Sequence, residues 1–149
     1  NKNDIDILKM SLNKCLKTAE EYGVNLNLET DLPPKEFHRL LDYINHPRIK
    51  VNYDTGNSAS AGYDPVEELS AYGEHVSVLH IKDRLLNGGS VQLGTGQADF
   101  EKIFRKLKKR DFGGVIIMQA ARAAEPDDEI GFVEEQFNYL SSCLERWFT

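Results

Sequence analysis

The chain has 149 residues, of which 40% are hydrophobic and 28% charged, proportions that are ordinary for a globular domain. Its formal net charge of −6 and its pI near 5.2 disfavour a nucleic-acid-binding surface, which needs a basic face to replace the counterions of the phosphates. No apolar run approaches the roughly 20 residues of a membrane-spanning helix and no signal peptide is visible, so we expect a cytoplasmic protein that binds neither nucleic acids nor membranes.

Four short apolar runs, each followed by turn residues and then by a helical pattern, organise the chain. Apolar residues recur at three- and four-residue steps over residues 8–22, which predicts an amphipathic helix before the first of these runs. The runs themselves predict strands at residues 24–29, 49–53, 76–81 and 115–119.

Helices are predicted after each of these strands. The proline pair at residues 33–34 begins the first of them, because a missing N–H costs little in the first helical turn. Asp64 and Asp99 are predicted as N-caps of the next two. Residues 55–64 and 83–99 are predicted as loops, and long ordered loops in compact domains are usually functional.

A polar side chain of a metal-binding type stands at or just past the end of each predicted strand. In a (β/α)8 barrel the C-terminal ends of all strands point into one cavity, so residues far apart in sequence can meet there. Carboxylate, imidazole and amide groups suit a divalent metal ion such as Mn²⁺, Co²⁺, Mg²⁺ or Zn²⁺. The predicted metal ligands are Glu29, Asp54, His80 and Gln119.

The length of the chain fits only part of such a barrel, because a complete one takes roughly 250 residues. We interpret residues 1–149 as a single α/β domain, the second half of a TIM barrel, with one helix followed by four strand–helix units. Since the chain opens on Asn1, its native start is expected to be missing or processed. A half-barrel leaves two strand edges uncovered, which predicts either a missing N-terminal half or a homo-oligomer. The alternative is a complete small domain with a four-stranded parallel sheet.

Cys15 and Cys143 fall inside the first and last helical patterns, far from each other in sequence. Neither has the spacing of a metal site or of a local disulfide. We predict that both are buried free cysteines in a reducing compartment.

The motifs around the strand ends resemble those of the xylose-isomerase-like barrel superfamily, which includes sugar-phosphate isomerases and epimerases, inosose dehydratase and endonuclease IV. They are YDTGN at residues 53–57, LHIKD at 79–83, LGTGQADF at 93–100 and the strand that ends in Gln119. The resemblance covers nearly the whole chain and implies the C-terminal half of that barrel. It also implies that Glu29, Asp54 and His80 bind the metal.

Gln119 departs from the epimerase pattern, in which the fourth ligand is a glutamate that also acts as an acid and base. An amide cannot take up a proton near neutral pH. Gln119 can therefore hold a metal ion or a substrate hydroxyl, but the proton shuttle of two carboxylates does not carry over to this chain.

The resemblance implies a metal-dependent sugar or sugar-phosphate isomerase or epimerase in the full-length parent, acting through an enediolate. Glu29 would be the general base that removes the proton next to the carbonyl, and the ion would stabilise the developing charge. The substrate is predicted to be a small sugar or sugar phosphate. The residues predicted to bind it are Asn57, Lys82, Arg84 and Arg122.

Two other functions stay open. A lyase of the inosose-dehydratase kind would use the same ion to expel a hydroxyl, whereas a catalytically silent half-barrel would only assemble with another chain. The endonuclease branch is disfavoured, because its zinc site needs a histidine three residues after the aspartate, where this chain has Asn57, and another after His80, where it has none.

Overall fold

The computed structural model describes residues 2–119, 121–123 and 128–148. The strands are β1 (Leu26–Leu28), β2 (Ile49–Asp54), β3 (Val76–Ile81), β4 (Asp83–Arg84), β5 (Ser90–Val91) and β6 (Val115–Met118). The helices are α1 (Lys2–Glu21), α2 (Pro34–Ile44), α3 (Thr55–Ala61), α4 (Pro65–Tyr72), α5 (Phe100–Lys108) and α6 (Glu129–Trp147), and a 3₁₀ turn spans Gly73–His75.

The four predicted strands form one parallel sheet in the order β1-β2-β3-β6. Each strand therefore lies beside the next along the chain, as in a (β/α)8 barrel. The register places Asp54 opposite His80, so the C-terminal ends of β2 and β3 lie at one edge of the sheet. The predicted fold class is confirmed in this respect, and β4 and β5 add only a small antiparallel hairpin.

The core lies between this sheet and the helices on one of its faces. Alternate residues of the strands point to the helices, among them the fully buried Val51, Leu79 and Ile81. Helices α2, α4, α5 and α6 pack in succession along that face. Asp64 and Asp99 cap α4 and α5 through their side chains, as predicted.

The opposite face of the sheet has no helical cover among the described residues. On β6, Val115 and Ile117 are 58% and 43% exposed, while Ile116 and Met118 pack against the core. In a closed barrel this bare face would be the interior. None of the helices in the described ranges is long and apolar enough to cross a bilayer.

Among the described residues, β1 and β6 each pair along one edge only, and together with the exposed apolar residues these edges predict that another polypeptide covers this face. We expect the 149-residue chain on its own to associate with a second copy, because an uncovered apolar face and two free strand edges favour self-association. Analytical ultracentrifugation at micromolar concentration measures this. A stable monomer would contradict the half-barrel interpretation and favour the small complete domain.

Two expectations from the sequence are wrong. Most of the predicted loop at residues 55–64 is helix α3, which Asp54 caps by accepting the N–H of Asn57. Its small residues give no apolar period, so the sequence pattern does not reveal the helix.

The second concerns the cysteines. Cys143 is buried, as expected, and burial raises the pKa of its thiol. Cys15 is exposed, because it lies outside the buried stripe of α1.

Candidate metal centre

The structure brings the four predicted metal ligands together at one edge of the sheet. Glu29 follows β1, Asp54 ends β2, His80 is the penultimate residue of β3, and Gln119 follows β6. Ligand atoms of Glu29, Asp54 and His80 all lie within 4.8 Å of one another. His80 Nδ1 is 3.6 Å from Glu29 Oε2 and 3.0 Å from the amide nitrogen of Gln119. The convergence that parallel strand ends predict is thus present in the geometry.

Glu29 is held by two asparagine side chains. Asn52 Nδ2 lies 2.6 Å from Glu29 Oε2, and Asn57 Nδ2 lies 2.9 Å from Oε1. Sequence reasoning overlooked Asn52, although a signal was available. It stands two residues before Asp54 on β2, and such residues point to the same face of a strand.

Asp54 divides its two oxygens between the helix and the site. The residue is 5% exposed, and its Oδ1 accepts the backbone N–H of Asn57 at 2.7 Å. Its Oδ2 lies 3.8 Å from Nζ of Lys82. The N-cap hydrogen bond fixes the carboxylate of Asp54 through Oδ1, while Oδ2 remains near the cluster.

Lys82 and Arg84 lie over the first turn of α3. A side chain at Gly56 would come within 2.8 Å of Lys82 and 3.1 Å of Arg84, so only glycine allows both stems to pack there. The guanidinium of Arg84 donates to Asn57 Oδ1 at 2.8 Å and to the carbonyl of Gly88 at 2.7 and 3.0 Å. Arg84 therefore links the side chain of Asn57 to the backbone at Gly88.

Arg122 is exposed. Within the part of the chain that the structure describes, it makes no hydrogen bond or ion pair with the four predicted ligands. Its predicted contact with the substrate stays a prediction.

The glycine-rich segment after β5 encloses the carboxylate of Asp83. Asp83 is buried and accepts four backbone N–H groups at 2.8–3.0 Å, from Arg84, Gly94, Gly96 and Ala98. A side chain at Gly96 would overlap this carboxylate. The backbone N–H groups of the loop thus satisfy the charge of this buried carboxylate.

A second buried carboxylate joins β2, α3 and α4. Glu68 accepts hydrogen bonds from Tyr53 at 2.9 Å, from Tyr72 at 2.8 Å and from the hydroxyl of Ser58. Burial raises the pKa of Glu68, although the three hydroxyls favour its ionised form, and burial likewise raises the pKa values of both tyrosines. The network fixes α3 against β2 behind Asp54.

A cavity of about 600 Å³ opens beside the cluster. Its lining includes Glu29, Asp54, Asn57 and Arg84. The volume falls within the range of pockets that bind small molecules. Its lining combines these polar groups with apolar and aromatic side chains such as Phe37 and Tyr72.

Comparison with known families assigns the fold. The model of the family described as xylose isomerase-like TIM barrel matches residues 2–137. The chain belongs to this family. The order of the four parallel strands is therefore that of part of a TIM barrel.

Curated relatives of this barrel chain include two inosose dehydratases. The one from Geobacillus kaustophilus is 32% identical over 104 residues, covering 58% of this chain and 34% of that protein. The one from Bacillus velezensis is 26% identical, covering 93% of this chain and 54% of that protein. The chain thus spans about half, or less, of the length of the curated relatives that it matches.

Solved structures show the same barrel fold. A xylose isomerase domain protein from Planctomyces limnophilus superposes with a TM-score of 0.81 at 22% identity, covering 95% of this chain and 54% of that one. The IOLI protein, solved with a bound zinc atom, gives a TM-score of 0.74 at 18% identity, covering 99% of this chain and 57% of that one. The xylose isomerase-like TIM barrel protein from Mycobacterium smegmatis, solved with magnesium, gives a TM-score of 0.75 at 16% identity, covering 100% of this chain and 53% of that one.

Proposed function

We propose that this chain is the metal-binding half of a sugar or sugar-phosphate isomerase or epimerase. The observation that carries the proposal is the cluster of Glu29, Asp54 and His80, whose ligand atoms lie within 4.8 Å of one another at the strand ends. The family, and relatives named as an L-ribulose-5-phosphate 3-epimerase and an L-ribulose 3-epimerase, support this reaction class.

The side chains present fit a divalent cation. Two carboxylates and a neutral imidazole would balance a double positive charge. His80 Nδ1 lies 3.0 Å from the amide nitrogen of Gln119, so this ring nitrogen faces the cluster. Rotation of the Gln119 amide by half a turn would present its oxygen there instead. Zinc and magnesium in two proteins of the same fold are consistent with such a site.

The roles that we propose follow from these positions. Glu29 would remove the proton next to the substrate carbonyl, and Asp54, His80 and Gln119 would hold the ion together with Glu29. A cation at this place would polarise the carbonyl and the neighbouring hydroxyl of a ketose. Asn57, Lys82, Arg84 and Arg122 remain the proposed contacts of the sugar or its phosphate.

The complete pocket needs more than the described residues. In a TIM barrel, the loops after all eight strands surround the active site. We propose that the other half of the barrel, or a second copy of this chain, supplies the remaining loops and covers the bare face of the sheet.

A lyase is the second candidate function. It is favoured by the inosose dehydratase of Geobacillus kaustophilus, which is 32% identical over 104 residues. It is also compatible with Gln119. This amide stands where the epimerases have a proton-transferring glutamate, and Glu29 remains as the proposed base. The same ion could assist departure of a hydroxyl group.

One experiment on the full-length protein, loaded with Mn²⁺, separates these functions. Bound metal is measured by elemental mass spectrometry, and L-ribulose or an inosose is then incubated with the protein in D₂O. Deuterium next to the carbonyl in a product that has lost no water supports the isomerase, while loss of one water supports the lyase. Absence of stoichiometric metal would contradict both and leave the silent half-barrel.

A further inference from the structure

Glu29 occupies a position that its own strand does little to fix. It follows β1, which has only three residues and lies at the edge of the sheet. Its side chain is 39% exposed. A glutamate in such a place normally samples several rotamers, yet both of its carboxylate oxygens accept a hydrogen bond from an amide.

Asn52 lies on β2 with its amide nitrogen closer to the carboxylate of Glu29 than to the imidazole of His80. Its Nδ2 lies 2.6 Å from Glu29 Oε2 but 3.0 and 3.3 Å from the two ring nitrogens of His80. A donor on the axis of one ring nitrogen's lone pair would be much farther from the other ring nitrogen. The two similar distances therefore place the amide nitrogen of Asn52 off both lone-pair axes. The amide therefore donates to Glu29 and packs against the imidazole.

The other end of the Asn52 amide shows that this orientation has a cost. Its Oδ1 is buried and has no hydrogen-bond partner among the described residues. An unsatisfied buried acceptor is unfavourable. Turning the amide over would place Oδ1 against the Glu29 carboxylate, which also only accepts hydrogen bonds. The contact with Glu29 therefore determines how Asn52 is oriented.

Asn57 holds the second oxygen from the opposite side. Its Nδ2 donates to Glu29 Oε1 at 2.9 Å, and its own Oδ1 accepts from the guanidinium of Arg84 at 2.8 Å. Because the Oδ1 of Asn57 accepts this hydrogen bond from Arg84, the NH₂ group of Asn57 is the end of the amide that faces Glu29. Arg84 thereby fixes the orientation of the Asn57 amide.

We propose that Asn52 and Asn57 form an amide clamp, a pair of positioning residues that hold the Glu29 carboxylate in one orientation toward the metal and the substrate. The inference rests on the proposed function. Groups that orient a metal ligand or a base reduce the conformational freedom that binding would otherwise have to remove. Asn52 thus acts through Glu29, whereas Asn57 both holds Glu29 and remains a proposed contact of the substrate.

A double-mutant cycle with Mn²⁺ affinity as its readout tests the clamp without relying on catalysis. Asn52→Leu in the full-length protein is expected to weaken Mn²⁺ binding by about tenfold, the lower end of the effect of outer-shell groups. In a Glu29→Ala background, the same substitution should have no further effect, because the group that Asn52 orients is gone.

Asn27→Leu is the matched control. Asn27 lies on β1 two residues before Glu29, and its Oδ1 accepts the hydroxyl of Ser77 rather than contacting the metal cluster. We expect this variant to keep the parental Mn²⁺ affinity.

The outcomes separate the clamp from the proposed function. Equal weakening by Asn52→Leu with and without Glu29, or no weakening in either, would overturn the clamp while metal binding by the parent still supports the proposed function. Failure of the parent itself to bind Mn²⁺ would overturn both. Weakening that depends on Glu29, with Asn27→Leu unchanged, is the result that supports the clamp.

Discussion

Substitution of His80 by alanine is expected to weaken Mn²⁺ binding to the full-length protein by about 100-fold or more. His80 offers the only nitrogen ligand in the cluster found among the described residues. Loss of groups that merely orient ligands costs about 10- to 100-fold in affinity, so loss of a ligand should reach at least the upper end of that range. Isothermal titration calorimetry of the metal-free protein measures the change.

His75→Ala provides the control for that measurement. His75 belongs to the turn just before β3, so it lies at the opposite end of the strand that carries His80. Its pKa is lowered mainly by partial burial, and it lies near Glu74 rather than near the cluster. We expect unchanged Mn²⁺ affinity. Equal losses in the two variants would show that His80 acts through the fold and is not a ligand.

The sheet and the position of the cluster could be predicted because both follow from short-range patterns. The apolar runs define the strands, and parallel strands place their C-terminal ends at one edge. The apolar run predicts a strand at residues 76–81, and these are the bounds of β3. Once the strands are fixed, Asp54 and His80 must be neighbours, and the register of β2 and β3 confirms it.

The hydrogen bonds around the cluster could not be predicted, because they depend on residues that meet only in the folded chain. Asn52 is one polar residue in a strand, and nothing in its local pattern identifies Glu29, 23 residues earlier, as its partner. The loop around Asp83 is a similar case. Its glycines indicate a tight turn, but the sequence does not reveal that their N–H groups enclose a carboxylate.

Helix α3 illustrates a third limit of the pattern. The TGNSASA segment has no apolar stripe, and five of its seven residues (threonine, glycine, asparagine and two serines) are poor helix formers, so propensity favours a loop. The helix forms because Asp54 caps it and Gly56 lets Lys82 and Arg84 pack over it. Tertiary packing here overrides local preference and turns Asn57 toward Glu29.

Replacement of Glu29 by glutamine is expected to lower exchange of the substrate's alpha proton with solvent by about 10²–10⁴-fold in the metal-loaded, full-length protein. Glutamine keeps the size of the side chain and an oxygen that can ligate metal, but it cannot accept the proton. Asp54 has one oxygen committed to capping α3, and Gln119 carries no titratable group. Among the four predicted ligands, Glu29 is therefore the carboxylate available to move protons.

Asp54→Asn and Gln119→Glu complete the comparison. The first should weaken Mn²⁺ binding while retaining exchange at saturating metal, because it changes a ligand and leaves Glu29 intact. The second should retain metal and add a third carboxylate to the cluster, beside His80 where Gln119 lies now. Deuterium incorporation from D₂O, measured by NMR at saturating Mn²⁺, reports all three variants. Undiminished exchange in Glu29→Gln would remove Glu29 from the proton transfer, since the metal-loaded site would then be working without its only proposed base.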